Sequence, residues 1–182
     1  FLIKGKGTGT RIDLTWDKVK GATGYDVYWS YCNGKNNFNK LANVPKSQKY
    51  ADKNLNNKKE YKYFTVAYKM SGGKKVYLGR TNTVHVAMPY AAKTNVLKVT
   101  VNKTKVNLAK GKTFKITKKV KLENSKKKAL NHLTKKERFI TSNAKVATVS
   151  SAGVIKAVRK GTCTIYVMSE NGVCAKIKVT VK

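Results

Sequence analysis

Lysine is the residue whose type and spacing offer chemistry in this chain. Lys118-Lys119, Lys126-Lys127-Lys128 and Lys135-Lys136 follow one another closely, with Lys110 and Lys112 in a turn just before them. Clustered ammonium groups attract polyanions, and at physiological salt only dense local clusters are felt, because the Debye length is about 8 Å. Lys118, Lys119, Lys126, Lys127, Lys128, Lys135 and Lys136 are therefore the candidate polyanion-binding residues. The competing reading is a solvated face on a lysine-rich background. Arg occurs only at 11, 80, 138 and 159. Lysine is a hydrated point charge suited to diffuse attraction, so base-specific recognition of nucleic acid is not expected.

A second group is aromatic. Tyr25, Tyr28, Trp29 and Tyr31 lie within one short run. Flat rings suit stacking on sugars, and Tyr28, Trp29 and Tyr31 are the candidate glycan-stacking residues. Side chains alternate across a strand, so part of the run must enter a core.

Catalytic and metal chemistry find little support. The only histidines are His85 and His132, and the strand pattern puts them in different domains. No Gly-x-Ser-x-Gly, His-Glu-x-x-His or phosphate-cradling glycine loop is present. Asp13, Asp17, Asp26, Asp52 and Glu60 fall in separate segments, and a calcium site wants clustered oxygen ligands. No catalytic residue, metal or cofactor is expected. His85, between Val84 and Val86, is expected to face solvent, and His132, near Leu130 and Leu133, to be structural. Cys32, Cys163 and Cys174 fit neither a Cys-x-x-Cys motif nor a zinc knuckle. Cys163 reads as a small buried residue, Cys174 as facing the other way, and Cys32 as an exposed or half-exposed thiol. Opposed faces make a 163–174 bridge unfavourable.

The elements that position these residues begin with length and charge. The chain has 182 residues, which suits two domains of about 90 residues. Forty Lys and Arg against eight acids give a formal net charge of +32, yet 41% of residues are apolar, enough for a core in each half. Residues 91–182 carry 21 Lys and 2 Arg against 3 acids, a net of +20, and are the more basic half. No apolar run reaches the length of a membrane-spanning helix. The chain opens at Phe1 without an initiator Met or signal peptide, and is read as a piece of a longer protein.

Alternation predicts strands almost throughout. Ile12, Leu14 and Trp16 point one way, as do Tyr61, Tyr63, Thr65 and Ala67, and Ser71-Gly72-Gly73 closes a hairpin. Residues 89–95, with Pro89, read as the linker between a domain at 1–88 and one at 96–182. In the second half Phe114, Ile155, Ile165 and Val179 are expected in the core, and Val173, Ala175, Ile177, Val179 and Val181 share the inward face of the last strand. Residues 123–136, rich in good helix formers, predict a helical turn or two as a basic insertion. The fold class is all-β: two tandem β-sandwiches, for which the resemblances below imply an immunoglobulin-like form.

Two resemblances sharpen this. Ser142, Asn143, Val146 to Ser150, Gly153, Ile155, Ala157 and Lys160 to Ile165 carry a pattern that resembles the signature of group 2 bacterial immunoglobulin-like domains. The first half resembles a fibronectin type III domain, with Trp16 at the core Trp, Tyr25-x-Val27 on the third strand, and Leu55 with Tyr61 and Tyr63 at a tyrosine corner. Thr65 departs from that pattern, where Val is usual. The resemblances imply a non-catalytic extracellular module, a spacer, stalk or adhesion scaffold of a larger bacterial surface or secreted protein. They leave open a binding module for anionic cell-wall polymers or glycans, and an accessory region of a surface carbohydrate-active enzyme. The expected partners are such a polymer or glycan and the other domains of the full-length protein, and the module itself is expected to be a monomer.

Overall fold

A computed structural model describes residues 1–33, 37–133 and 138–182. The named elements of these residues are all strands. They build two compact units, each with its own core.

The first unit comprises Phe1–Asn95 together with Asn124–Leu130 and Glu170–Gly172. Its strands are β1 (Ile3–Thr8), β2 (Arg11–Trp16), β3 (Gly24–Tyr31), β4 (Asn39–Pro45), β5 (Lys49–Asp52), β6 (Glu60–Ser71), β7 (Lys74–Arg80) and β8 (Val84–Ala87). One sheet runs β1-β2-β5, the other β4-β3-β6-β7, with β8 also on β6. Alternation on β2 drives Ile12, Leu14 and Trp16 inward, where they meet Tyr25, Val27, Tyr61, Tyr63 and Ala67 of the other sheet. Gly72 and Gly73 both take positive φ, 56° and 74°, which the tight turn between β6 and β7 requires and a side chain would resist. The Tyr61 hydroxyl accepts the Asn56 backbone N–H at 3.0 Å, pinning the chain's entry into β6 as a tyrosine corner does.

The outer face of the β4-β3-β6-β7 sheet is closed by polar and aromatic groups. Tyr28 stacks on Phe64 with ring centroids 4.8 Å apart, and the Arg80 guanidinium lies 3.9 Å over the Phe64 ring. Asp26, 0% exposed, takes the Lys75 ammonium at 2.8 Å, the Lys40 ammonium at 3.0 Å and the Asn43 amide at 2.7 Å. Burial alone would raise the pKa of Asp26. Hydrogen bonds from Lys75, Asn43 and Lys40, with the Lys75 charge, outweigh it and hold the carboxyl below its ordinary range.

The second unit comprises Val96–Glu123, Asn131–Ser169 and Val173–Lys182. Its strands are β9 (Val96–Val101), β10 (Lys105–Leu108), β11 (Thr113–Lys115), β12 (Lys118–Leu122), β13 (Phe139–Thr141), β14 (Ala147–Val149), β15 (Val154–Ala157), β16 (Gly161–Met168) and β17 (Cys174–Val181). They pair as β10-β17-β16-β13, β11-β15-β14 and β12-β9, with β10 parallel to β17. Ile155, Ile165, Ile177 and Val179 are fully buried, while Phe114 is only half-buried against them. Gly153, at φ 74° between β14 and β15, leaves the space that a Cβ would contest with the Phe139 ring.

Among the described residues of the predicted helical insertion, 123–133, no helix forms. Residues 123–133 hold turns and the isolated bridge Thr94↔Ala129, and 134–136 lie outside the described residues. Asn124 is the physical reason. Its side-chain oxygen accepts the Lys126 N–H at 3.0 Å and its carbonyl the Lys127 N–H at 3.2 Å, a local turn that competes with helix.

Because Asp26 has a depressed folded pKa, its stabilisation is full above its unfolded pKa and is lost as pH falls through the folded one. Urea midpoints of the wild type should therefore fall as pH drops below about 4. Asp26→Asn should flatten that dependence and cost about 3 kcal/mol at neutral pH, by leaving two lysines without their acid. An unchanged acid limb in the variant would contradict the assignment.

Candidate polyanion-binding and glycan-stacking surfaces

The densest cationic arrangement arises from strand register. β9 and β12 pair antiparallel with Lys119↔Thr100, Val120↔Val99 and Lys121↔Lys98. Directly opposite residues share a face, their Cβ atoms about 5 Å apart. Lys98, Thr100, Lys119 and Lys121 thus line one exposed face, and no acid is in register with them. Thr100 donates its hydroxyl to the Lys119 carbonyl at 3.3 Å. Asn102 accepts the Thr117 N–H and donates to the Lys115 carbonyl, both at 3.1 Å, fixing the end of the ladder. A cavity of about 350 Å³ opens there, lined by Thr100, Val101, Asn102, Thr117 and Lys119. A second like-charge pair, Lys105↔Lys178, comes from the parallel register of β10 and β17.

Of the runs read from the sequence, Lys118 and Lys119 lie in the second unit and Lys126 to Lys128 in the first. Lys119 belongs to the ladder. Lys118 has the opposite parity, and its ammonium lies 5.4 Å over the Phe139 ring. Lys126, Lys127 and Lys128 lie in the segment assigned to the first unit. There the Lys127 ammonium donates to the carbonyls of Pro89 at 3.0 Å and Ala91 at 2.7 Å, while Lys126 and Lys128 are exposed. Lys135 and Lys136 lie outside the described residues. Lys98 and Lys121 went unnamed because neither lies in a run. Their signal was parity: Lys98 and Thr100 on one strand, Lys119 and Lys121 on another.

The aromatic candidates also separate. Tyr28 faces outward against Phe64, whereas Trp29 and Tyr31 pack together at 5.2 Å and both contact Tyr61. Tyr31, 43% exposed, stands at a cavity of about 560 Å³ lined also by Cys32, Asn33, Lys58, Lys59, Glu60 and Ala92. Cys32 Sγ lies 3.2 Å from His85 Nδ1. His85 is therefore half-buried and partnered, not turned to solvent. The pairing Lys62↔His85 on β6 and β8, with the Cys32 N–H donated to the Glu60 carbonyl, brings the two side chains together. Burial, aided by the Glu60 charge, pushes the Cys32 thiol up to about 12, so it is protonated at neutral pH. Cys163 is buried and Cys174 half-buried, and none of the three cysteines forms a disulfide.

Residues 95–181 match the family model of the bacterial Ig-like domain (group 2). Over these residues the second unit is similar to that family. The named elements of both units are strands. Among solved structures, it is similar to pectate lyase PelI from Erwinia chrysanthemi in complex with tetragalacturonic acid, at 11% identity and a TM-score of 0.36, over 59% of this chain and 32% of that one. It is similar to domains 4 and 5 of the S-layer protein SbsC at 17% identity and 0.36, over 97% and 84%. The chicken CNTN1 FN1-FN3 domains align at 14% identity and 0.36, over 99% and 63%. The chain thus spans about a third of the length of the pectate lyase. No curated protein sequence matches it. Among the described residues no helix is long and apolar enough to cross a membrane.

Like charges directly opposite on a sheet are destabilising, so Lys121→Glu should stabilise the fold by about 0.5 kcal/mol at low salt by turning Lys98 into a partner. The gain should shrink as salt is added. Urea denaturation at two ionic strengths checks this, and a loss of stability at low salt would show that the two side chains do not face one another.

Proposed function

We propose that this chain is an extracellular spacer or adhesion scaffold of a larger bacterial surface or secreted protein. In this reading it has modules at 1–88 and 96–182 joined by 89–95, the first of fibronectin type III type. The second module holds anionic cell-wall polymers through Lys98, Lys119 and Lys121. The observation that carries the reading is the β9–β12 register, which puts three lysines on one exposed face with no acid opposite. Their spacing follows the strand pitch, so a linear polymer can lie along the ladder and meet several ammonium groups at once. Lysine makes the contact diffuse, which favours a repetitive polymer over a single small ligand.

The test uses the full chain and a glycerol phosphate polymer. Wild type should bind at low salt and weaken steeply as salt rises. A Lys98→Glu, Lys119→Glu, Lys121→Glu variant should lose about tenfold in affinity, and its salt slope should fall by about 0.7 for each contact removed, as for other flexible polyanions. A Lys126→Glu, Lys127→Glu, Lys128→Glu variant is the comparison arm and should lose less. Equal losses in both variants, or none in either, would leave these lysines as a solvated face.

A further inference from the structure

We propose that the cavity beside Tyr31 in the first unit is a subsite for one acidic sugar residue of a polysaccharide. It is separate from the lysine ladder and does not rest on that reading. Its volume of about 560 Å³ is in the range of small-molecule sites and accommodates a pyranose ring.

Tyr31 supplies the platform. It ends β3, in register with Tyr61 on β6. Its ring is held against Trp29 at 76° and against Tyr61 at 37°, both with centroids 5.2 Å away. Two aromatic neighbours fix the ring before any ligand arrives, so little side-chain freedom is lost on binding. The exposed part can take the apolar C–H face of a sugar.

The polar complement comes from the turn entering β6. Asn56 builds that turn, its side-chain oxygen accepting the Lys58 N–H at 2.9 Å and its carbonyl the Lys59 N–H at 3.2 Å. The same Asn56 donates its N–H to the Tyr61 hydroxyl, so the corner that folds the domain also sets two lysines beside Tyr31. Glu60 and Asn33 line the cavity too. Cys32, protonated, adds no charge. Two ammonium groups against one carboxylate leave the cavity favouring an anion. A neutral sugar would use Tyr31 but leave Lys58 and Lys59 without a partner. A phosphate polymer would use the lysines and leave the ring idle. A uronic acid residue uses both.

The probes are a glucuronate-containing oligosaccharide, its carboxyl-reduced neutral counterpart and inorganic polyphosphate, each titrated into the full chain and followed by backbone amide NMR. The acidic oligosaccharide should shift Tyr31, Cys32 and residues 58–60. Carboxyl reduction and Tyr31→Ala should each weaken it about tenfold, and Tyr31→Phe, which keeps the ring, should bind as wild type. Lys98→Glu, Lys119→Glu, Lys121→Glu should leave this binding intact, which separates it from the polymer ladder. Undiminished binding in Tyr31→Ala, equal shifts with polyphosphate, or no shift at Tyr31 would overturn the proposal.

Discussion

The scarcity of acids is the constraint on which the rest of this structure depends. With 40 cationic side chains and 8 acids, self-repulsion opposes compaction and carboxylates cannot partner most of the lysines. Both cores therefore rest on apolar burial across paired strands, Tyr61, Tyr63, Ile12 and Leu14 in one unit and Ile155, Ile165, Ile177 and Val179 in the other. Where a lysine must be held, the fold uses other acceptors. Lys127 caps two carbonyls and Lys115 donates to the Ala152 carbonyl at 2.6 Å. Lys62, Lys118 and Lys176 lie over aromatic rings. Asp26 is a buried carboxylate that does hold lysines, shared between Lys40 and Lys75.

What is left over defines the surface. Lys98 and Lys121 face each other across β9 and β12, and Lys105 and Lys178 are in register across β10 and β17. Such pairs cost stability, and under the proposed function a bound polyanion would offset the cost. Ligand binding and folding are then linked, since a polymer that engages only the paired strands stabilises the native state. In a scaffold module of the proposed kind, attachment would strengthen the element that makes it.

Much of the architecture was legible because parity survives in sequence. Ile12, Leu14 and Trp16, or Ile177, Val179 and Val181, announce an inward face without any knowledge of partners. The tyrosine corner was legible through the spacing of Leu55 and Tyr61. In the described part of the segment expected to be helical, 123–133, propensity counted Lys and Ala as helix formers, while Asn124 formed a local turn. His85 was misplaced because a strand's parity does not show that Cys32 will end beside it. Register is what the sequence conceals. Lys98 meets Lys121, and Tyr31 meets Lys58 and Lys59, through pairings between distant segments. A scan for runs therefore favoured Lys126 to Lys128 over the residues that the sheet brings together. Thr65 is a smaller case: its departure from the usual Val leaves a hydroxyl in the core with no hydrogen-bond partner among the described residues.

Amide hydrogen exchange of the full chain, with and without a glycerol phosphate polymer at low salt, tests the central claim most directly. The account predicts added protection concentrated on β9 and β12, from Val96 to Val101 and Lys118 to Leu122, with little change at residues 126–128. Protection spread evenly over the lysine-bearing surface, or confined to 126–128, would contradict it.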